Sequence, residues 1–392
     1  MSGSLVPSYA FTHRKVIDTR GKLAEVVLSS GLVSAGALLL ATILIAYRLH
    51  IRSSQTRSDA EAEKPAQPEL DARLSGEAKE LTRKLTAVLL NSIITPENAG
   101  QFSESMNAYW AKQACEVAPA CIVRPRNVYE LSRAIAILKT EYDERDRTDD
   151  RKTSASRGLF AIRSGGHSPV LGASSIAGGV LVDLSLFKDI APAADGKSVA
   201  IGAGCTWMDV SKALEKKGLA VVGGRNSAVG VGGLTLGGGL SFFSPLYGFV
   251  CSNIVEYEVV LADGSITTAS ATSHPDLWRA LKGGSHNFGV VARFLARTFA
   301  STDIWSGFLY MPSSQAPKVL SASHSFVNRS IANEEDALYD EYAAGPLACF
   351  TYLQQLGVQA IAVALTHTKI PLNDSKWPAC WKISGFAKLW RF

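Results

Sequence analysis

Two glycine-dense runs constrain this chain more than anything else in it. The first is Ala161–Ile–Arg–Ser–Gly–Gly–His167–Ser168, and the second is Val229–Gly–Val–Gly–Gly–Leu–Thr–Leu–Gly–Gly–Gly239. Glycines at this density let backbone approach a ligand closely and leave N–H groups free to close around an anion. Two such loops flanking one histidine predict a cradle for a pyrophosphate-bearing cofactor with an imidazole beside it. That describes a dinucleotide-using enzyme.

Each run taken alone has a blander reading. A histidine after two glycines is more often a structural hydrogen-bonder, and a glycine run can simply be a loop packed close to a strand. The usual nucleotide and hydrolase signatures are missing. Gly230 and Gly232 are followed by Thr235 where a G-x-G-x-x-G motif needs its third glycine, and Gly196–Lys–Ser198 has Ala191 where a P-loop needs glycine. No G-x-S-x-G elbow and no H-E-x-x-H pair occurs. A Rossmann dehydrogenase, a serine hydrolase and a zinc hydrolase are therefore disfavoured.

The six cysteines show no C-x-x-C spacing, so no zinc or iron–sulfur site is expected. Cys115 and Cys121 are near enough in sequence to pair in an oxidising compartment, although spacing does not choose among the pairings the set allows. Net charge is +5, with acidic and basic residues interleaved, so no nucleic-acid partner is expected.

Residues 1–25 form a basic N-terminal flank. Val26 to Tyr47 carries no charged residue and as a helix would be about 33 Å long, enough to cross a bilayer. Residues 26–47 are read as an uncleaved single-pass anchor, because the preceding segment is longer than a signal peptide's n-region. Basic residues balance on its two sides and leave the orientation open. The sequons at Asn328 and Asn373 agree with a lumenal catalytic domain and a glycoprotein.

Residues 48–77 are a polar stem, and 78–120 a helical lead-in whose first helix puts Leu81, Leu85, Val88 and Leu89 on one face. From Cys121, Asn127 and Glu130 resemble a capping box ahead of Val128, Leu131, Ile135 and Leu138, and 141–157 reads as a charged exposed loop. Short strands follow near 159–162, 180–184, 199–201 and 220–222, with a helix from Trp207 to Lys216. A hairpin over Ile254–Ala269 turns at Asp263–Gly264, and a helix begins near Pro275. The pattern predicts an α+β fold, with a domain boundary near Thr302.

The order of the motifs adds what no single motif carries. Arg163–Ser–Gly–Gly–His167, Val182–Asp–Leu–Ser185, Gly202–Ala–Gly204 before Trp207, the two halves of the second run, and Gly283–Gly–Ser–His–Asn–Phe–Gly–Val–Val291 follow one another. The set resembles the FAD-linked oxidases with a PCMH-type flavin domain, in the berberine-bridge-enzyme-like branch. The resemblance covers about 121–302. Phe350–Gly357 and Lys376–Trp381 look like the start of the substrate domain in fungal secondary-metabolite members, so 303–392 is expected to be a partial substrate-binding domain. The chain ends at Phe392, ahead of the family's usual C-terminal segment, and is expected to be C-terminally truncated.

The resemblance implies FAD bound covalently through His167, with Arg163, Ser164, Gly165, Gly166 and Ser168 around the pyrophosphate. Val229, Gly230, Gly232, Gly233, Gly237, Gly238 and Gly239, with Gly283, Gly284, Asn287, Phe288, Gly289 and Val290, would line the cofactor. Relatives often carry a second link through a cysteine where this chain has Asn226, which implies a single histidyl bond. Val229 matches a position where valine accompanies oxidases, implying electron return to O2. The substrate implied is a small-molecule alcohol or amine, and the catalytic base, a Tyr or Glu in relatives, is not identifiable here. The alternative reading is a truncated, catalytically inactive FAD-binding or interaction protein.

Overall fold

The computed structural model describes residues 76–148, 158–331, 340–354, 356–370 and 377–391, arranged as three sheets with helices between them. The anchor expected at 26–47, the N-terminal flank and nearly all of the polar stem lie outside the described residues. Among the described residues no helix is long and apolar enough to cross a membrane.

The first sheet is built from β1 (Ile93–Ile94), β2 (Cys121–Val123), β3 (Phe160–Arg163) and β4 (Val180–Asp183), in the order β1-β2-β4-β3. β4 pairs in parallel with both β2 and β3. Parallel strands of one sheet need crossovers, and α4 (Val128–Thr148) supplies the one from β2 to β3, which flank β4. Three helices come earlier: α1 (Gly76–Val88), α2 (Ala99–Met106) and the single turn α3 (Lys112–Cys115). α1 buries Ala78, Leu81 and Leu85, and Leu89 just beyond it is buried as well. Val88 was expected on this face but is exposed, because at helical spacing it falls at the edge of the stripe made by Ala78, Leu81, Leu85 and Leu89.

Asn127 caps α4 as expected, its side-chain oxygen accepting from the N–H groups of Tyr129 and Glu130. Glu130 returns the bond one residue earlier than a capping box would, to the N–H of Arg126 at 2.9 Å. The charged segment after Glu141 is not a loop at its start, since α4 continues to Thr148. Its charges support the helix: Lys139 pairs with Asp143 and Glu141 with Arg145, each four residues apart, and Lys84 of α1 reaches both Glu141 and Glu144.

The second sheet is antiparallel. Its strands are β5 (Ile190–Pro192), β6 (Ser198–Gly202), β7 (Leu219–Val221), β8 (Ile254–Val260), β9 (Ile266–Ser270) and β10 (Val290–Ala300), in the order β5-β6-β10-β8-β9 with β7 also on β10. β10 is therefore the spine. Gly196 makes the tight β5–β6 turn at φ 67°, so the Gly–Lys–Ser resemblance to a P-loop is a hairpin turn. The expected hairpin forms from β8 and β9, with Gly264 in the turn at φ 84°.

Between these strands run α5 (Trp207–Glu215), α6 (Val231–Leu236), α7 (Ser244–Tyr247) and α8 (Pro275–Ala280). Thr206 and Asp209 cap α5 reciprocally. One apolar core joins both sheets, from Leu81 and Leu85 through Leu131 and Leu138 to Tyr257 and Phe294.

Past residue 302 comes a third sheet, β11 (Trp305–Pro312), β12 (Ala343–Leu353) and β13 (Val358–His367), in the order β11-β13-β12. It packs with α9 (Ala316–Ile331) and α10 (Ala379–Ile383) around its own core of Leu309, Val319, Val363, Leu365, Trp381 and Phe386. The Asn328 sequon falls on α9, its amide 2.8 Å from His324 Nε2, and Asn373 lies outside the described residues. Among the described residues all six cysteines are free thiols, including Cys115 and Cys121.

Candidate functional site

The first glycine run begins where β3 ends. Arg163 closes the strand opposite Asp183, and the chain then turns through Ser164, Gly165, Gly166, His167 and Ser168. The second run begins where α6 does. The N–H of Trp207 bonds to the carbonyl of Val229, that of Val231 to Cys205, and Thr206 bridges Gly230.

The two loops meet at Gly165 and Gly230. A Cβ on Gly165 would stand 2.6 Å from both the Cα and the N of Gly230, and the reverse holds equally. A Cβ on Gly232 would stand 2.8 Å from Ser164 Oγ, which donates to the carbonyl of Ala203 at 2.6 Å. Runs far apart in sequence thus form one floor that only glycine permits.

A wall from the lead-in encloses the first loop. Trp110 Nε1 donates to the carbonyl of His167 at 2.6 Å, and its ring is 5.3 Å from the imidazole. Gln113 donates to the carbonyl of Pro169, and Tyr109 OH to that of Ser174. Gly166, at φ 60°, packs so near the Tyr109 ring that a Cβ would lie 3.1 Å from it. Nothing in the sequence signalled this wall, because a Tyr–Trp pair in an amphipathic stretch reads as ordinary core.

Arg163 was expected beside the pyrophosphate, donating to it. Its guanidinium is instead committed to Ser105 and to Asp183, at 2.8 Å from the carboxylate, with the Tyr109 ring 4.8 Å away. Arg124 also reaches Asp183. Burial opposes the charge on Asp183, but Arg163, Arg124 and the Ser185 N–H outweigh it and hold the carboxyl below its usual value. Arg163 therefore braces the loop from beneath.

The remaining expected residues divide between floor and frame. Gly237 ends α6, and Gly238 and Gly239 turn with φ of 104° and 77° while their carbonyls accept from Cys251 and Val250. The 283–291 segment reaches the end of α6 through the N–H of Ser285, which bonds to the carbonyl of Leu236. Asn287 bonds back to the carbonyl of Gly284, Phe288 is exposed, and Val290 enters β10 opposite Val260. Asn226 accepts from the N–H of Ala228 in a tight turn ahead of Val229. Cys205 is buried, its thiol pushed up to about 11 by desolvation, which leaves it unreactive.

The donors present suit a dinucleotide. Among the described residues the N–H groups of Gly165, Gly166, His167 and Ser168 have no hydrogen-bond partner, and neither does the fully buried hydroxyl of Thr235 on α6. Free amides over a floor without Cβ atoms match a pyrophosphate, and His167 at their edge offers an imidazole beside it.

Residues 119–270 match the FAD binding domain family. The FAD-dependent monooxygenase prx3 of Penicillium roqueforti is 39% identical over 241 residues, which is 61% of this chain and 44% of that protein. The FAD-dependent monooxygenase tpcD of Cochliobolus heterostrophus is 41% identical over 210 residues, 54% of this chain and 38% of that one. The chain spans less than half the length of these curated relatives.

Among solved structures, 6-hydroxy-D-nicotine oxidase from Arthrobacter nicotinovorans superposes with a TM-score of 0.59 at 24% identity, covering 77% of this chain and 59% of that one. Berberine bridge enzyme from Eschscholzia californica gives 0.58 at 18% identity, covering 74% and 55%. These two share the fold. Residues 119–270 thus carry an FAD binding domain, and the chain is similar to fungal FAD-dependent monooxygenases over that part of its length.

Proposed function

We propose that this chain is the flavin-carrying part of an oxidase that holds FAD covalently through His167 and acts on a small-molecule alcohol or amine of secondary-metabolite type. The observation that carries the reading is the Gly165–Gly230 contact, which sets free main-chain amides and His167 at one edge of a single floor. When bound, FAD supplies a two-electron acceptor that returns its electrons to O2 as hydrogen peroxide.

The chain's own residues bind and orient. Amides of 165–168 hold the pyrophosphate, Ser164 ties the loop to Ala203, and Trp110 fixes the backbone of His167. Asn226 carries no thiol, which supports a single link. Val229, at the head of the second run, is smaller than the leucine that accompanies dehydrogenases at this position, which supports oxygen as the acceptor. The monooxygenase names of the fungal relatives fit chemistry at the same cofactor with a different fate for oxygen.

We place the chain in a membrane through 26–47, on the strength of that uncharged apolar run. The oxidase reading is tested by photoreducing the purified flavoprotein and mixing it with air-saturated buffer. Rapid reoxidation with one equivalent of peroxide supports it; slow reoxidation that an artificial acceptor accelerates would make the enzyme a dehydrogenase.

A further inference from the structure

Three chemically capable side chains lie together around the third sheet. Asp340 precedes β12, His367 ends β13 and Cys380 sits in α10, and a carboxylate oxygen, an imidazole nitrogen and the thiol sulfur all fall within 4.8 Å of one another. His367 is buried and the other two are half-buried.

The contacts around this group orient its donor atoms toward one another. His367 Nδ1 lies 2.5 Å from the carbonyl of Lys369 and 3.3 Å from the N–H of the same residue; the shorter contact puts the ring proton on Nδ1, because a carbonyl only accepts. The lone pair of a neutral ring is then on Nε2, which faces Asp340 Oδ2 at 3.0 Å. A carboxylate oxygen is itself an acceptor, so the pair is satisfied either by a proton, as an imidazolium–carboxylate ion pair, or by a metal ion between the two. The other carboxylate oxygen, Oδ1, accepts from the N–H of Tyr342 and is thereby oriented.

A histidine donating its second nitrogen to a backbone carbonyl and a carboxylate anchored by a backbone amide are the outer contacts that prepare metal ligands. We propose that Asp340, His367 and Cys380 form a binding site for one divalent ion of the zinc class, which clamps the end of β13 to α10 and to the segment entering β12.

The donor set selects the ion. One thiolate, one imidazole and one carboxylate suit zinc and disfavour magnesium and calcium, which take oxygen ligands. A thiolate and a carboxylate neutralise the two positive charges. Ligand bonds of about 2.0–2.3 Å draw the donors together by small side-chain rotations, and three protein ligands leave a fourth position to solvent. The cysteine spacing gave no hint of this site, because it takes a single cysteine and draws its ligands from three separate elements. The proposal does not rest on the flavin reading.

The test is a cobalt titration of the full chain after chelator treatment, read in the near-ultraviolet and visible. One equivalent of Co2+ is expected to give thiolate-to-cobalt charge transfer together with tetrahedral d–d bands, both displaced by Zn2+, and Zn2+ is expected to raise the melting temperature. Cys380→Ser removes the charge-transfer band, and Asp340→Asn and His367→Gln each weaken binding by about 100-fold or more. Cooperative melting of each variant checks folding. Absence of the charge-transfer band in the wild type overturns the proposal without reference to any variant. Cobalt binding that is unchanged in a folded Cys380→Ser, or in a folded Asp340→Asn, overturns it as well.

Discussion

Gly165 and Gly230 stand back to back, each filling the space where the other's Cβ neighbour would be: a methyl on either would lie 2.6 Å from the Cα and N of its partner. One contact therefore sets the register between the loop after β3 and the loop before α6. Gly165→Ala is expected to lower stability by about 1–3 kcal/mol, since neither backbone can retreat from a rigid methyl. Its flavin content, read as absorbance near 450 nm per protein, should fall with it. Gly233 lies in the same run, inside α6 with nothing within 4 Å of its Cβ position, so Gly233→Ala should hold or slightly raise the melting temperature of the apoprotein.

Arg163 and Asp183 form the brace beneath that floor, with the carboxylate side chain 1% exposed. Removing one member of a buried pair strands the other. Asp183→Asn is therefore expected to cost about 3 kcal/mol, measured as a lower denaturant midpoint at unchanged slope. Arg163→Lys keeps the charge and loses the fork, and should destabilise in the same direction. If Arg163 served the cofactor instead, the lysine variant would lose flavin while melting normally.

Acid should loosen the same region. Asp183 sits below its ordinary value, and the Arg126 guanidinium, helped by the Ser92 hydroxyl and the Arg126 N–H, holds Glu130 down at about 2. A carboxyl whose folded value is depressed stabilises fully above its unfolded value and loses that contribution as pH falls through the folded one. Melting temperature should be flat from neutrality to about pH 5 and then fall steadily toward pH 2. In Glu130→Gln the decline below the ordinary carboxyl value of 4.5 should be shallower.

What the sequence disclosed follows from the reach of each signal. Local signals worked: the Asp263–Gly264 hairpin, the Asn127 cap and the Thr206-headed helix depend on neighbours a few residues away. Ordered motifs carried the family, because glycines pinned against distant backbone cannot drift. Long-range partners were silent. Trp110 and His167 are 57 positions apart, and so are Lys84 and Glu141, whose pairing helps turn an expected loop into helix. Arg163 misled for the same reason, since only the fold brings Ser105 and Asp183 to its guanidinium before any ligand could.

Trp110 is 61% exposed yet bonded to the His167 carbonyl, which is a costly place for an indole unless it does something there. Trp110→Phe removes the donor and keeps a ring. Its melting temperature should stay near that of the wild type, while the fraction of flavin that survives denaturation as covalent adduct should drop several-fold. Equal covalent yield in the two proteins would limit Trp110 to covering the loop.

The most direct test of the account is in-gel flavin fluorescence after full denaturation, comparing the purified wild type with His167→Ala. Covalent attachment at His167 alone predicts a fluorescent wild-type band and a dark variant band, with the variant still able to bind FAD reversibly when folded. A fluorescent band that persists in His167→Ala would place the bond elsewhere, and a folded wild type without any flavin would contradict the cofactor reading itself.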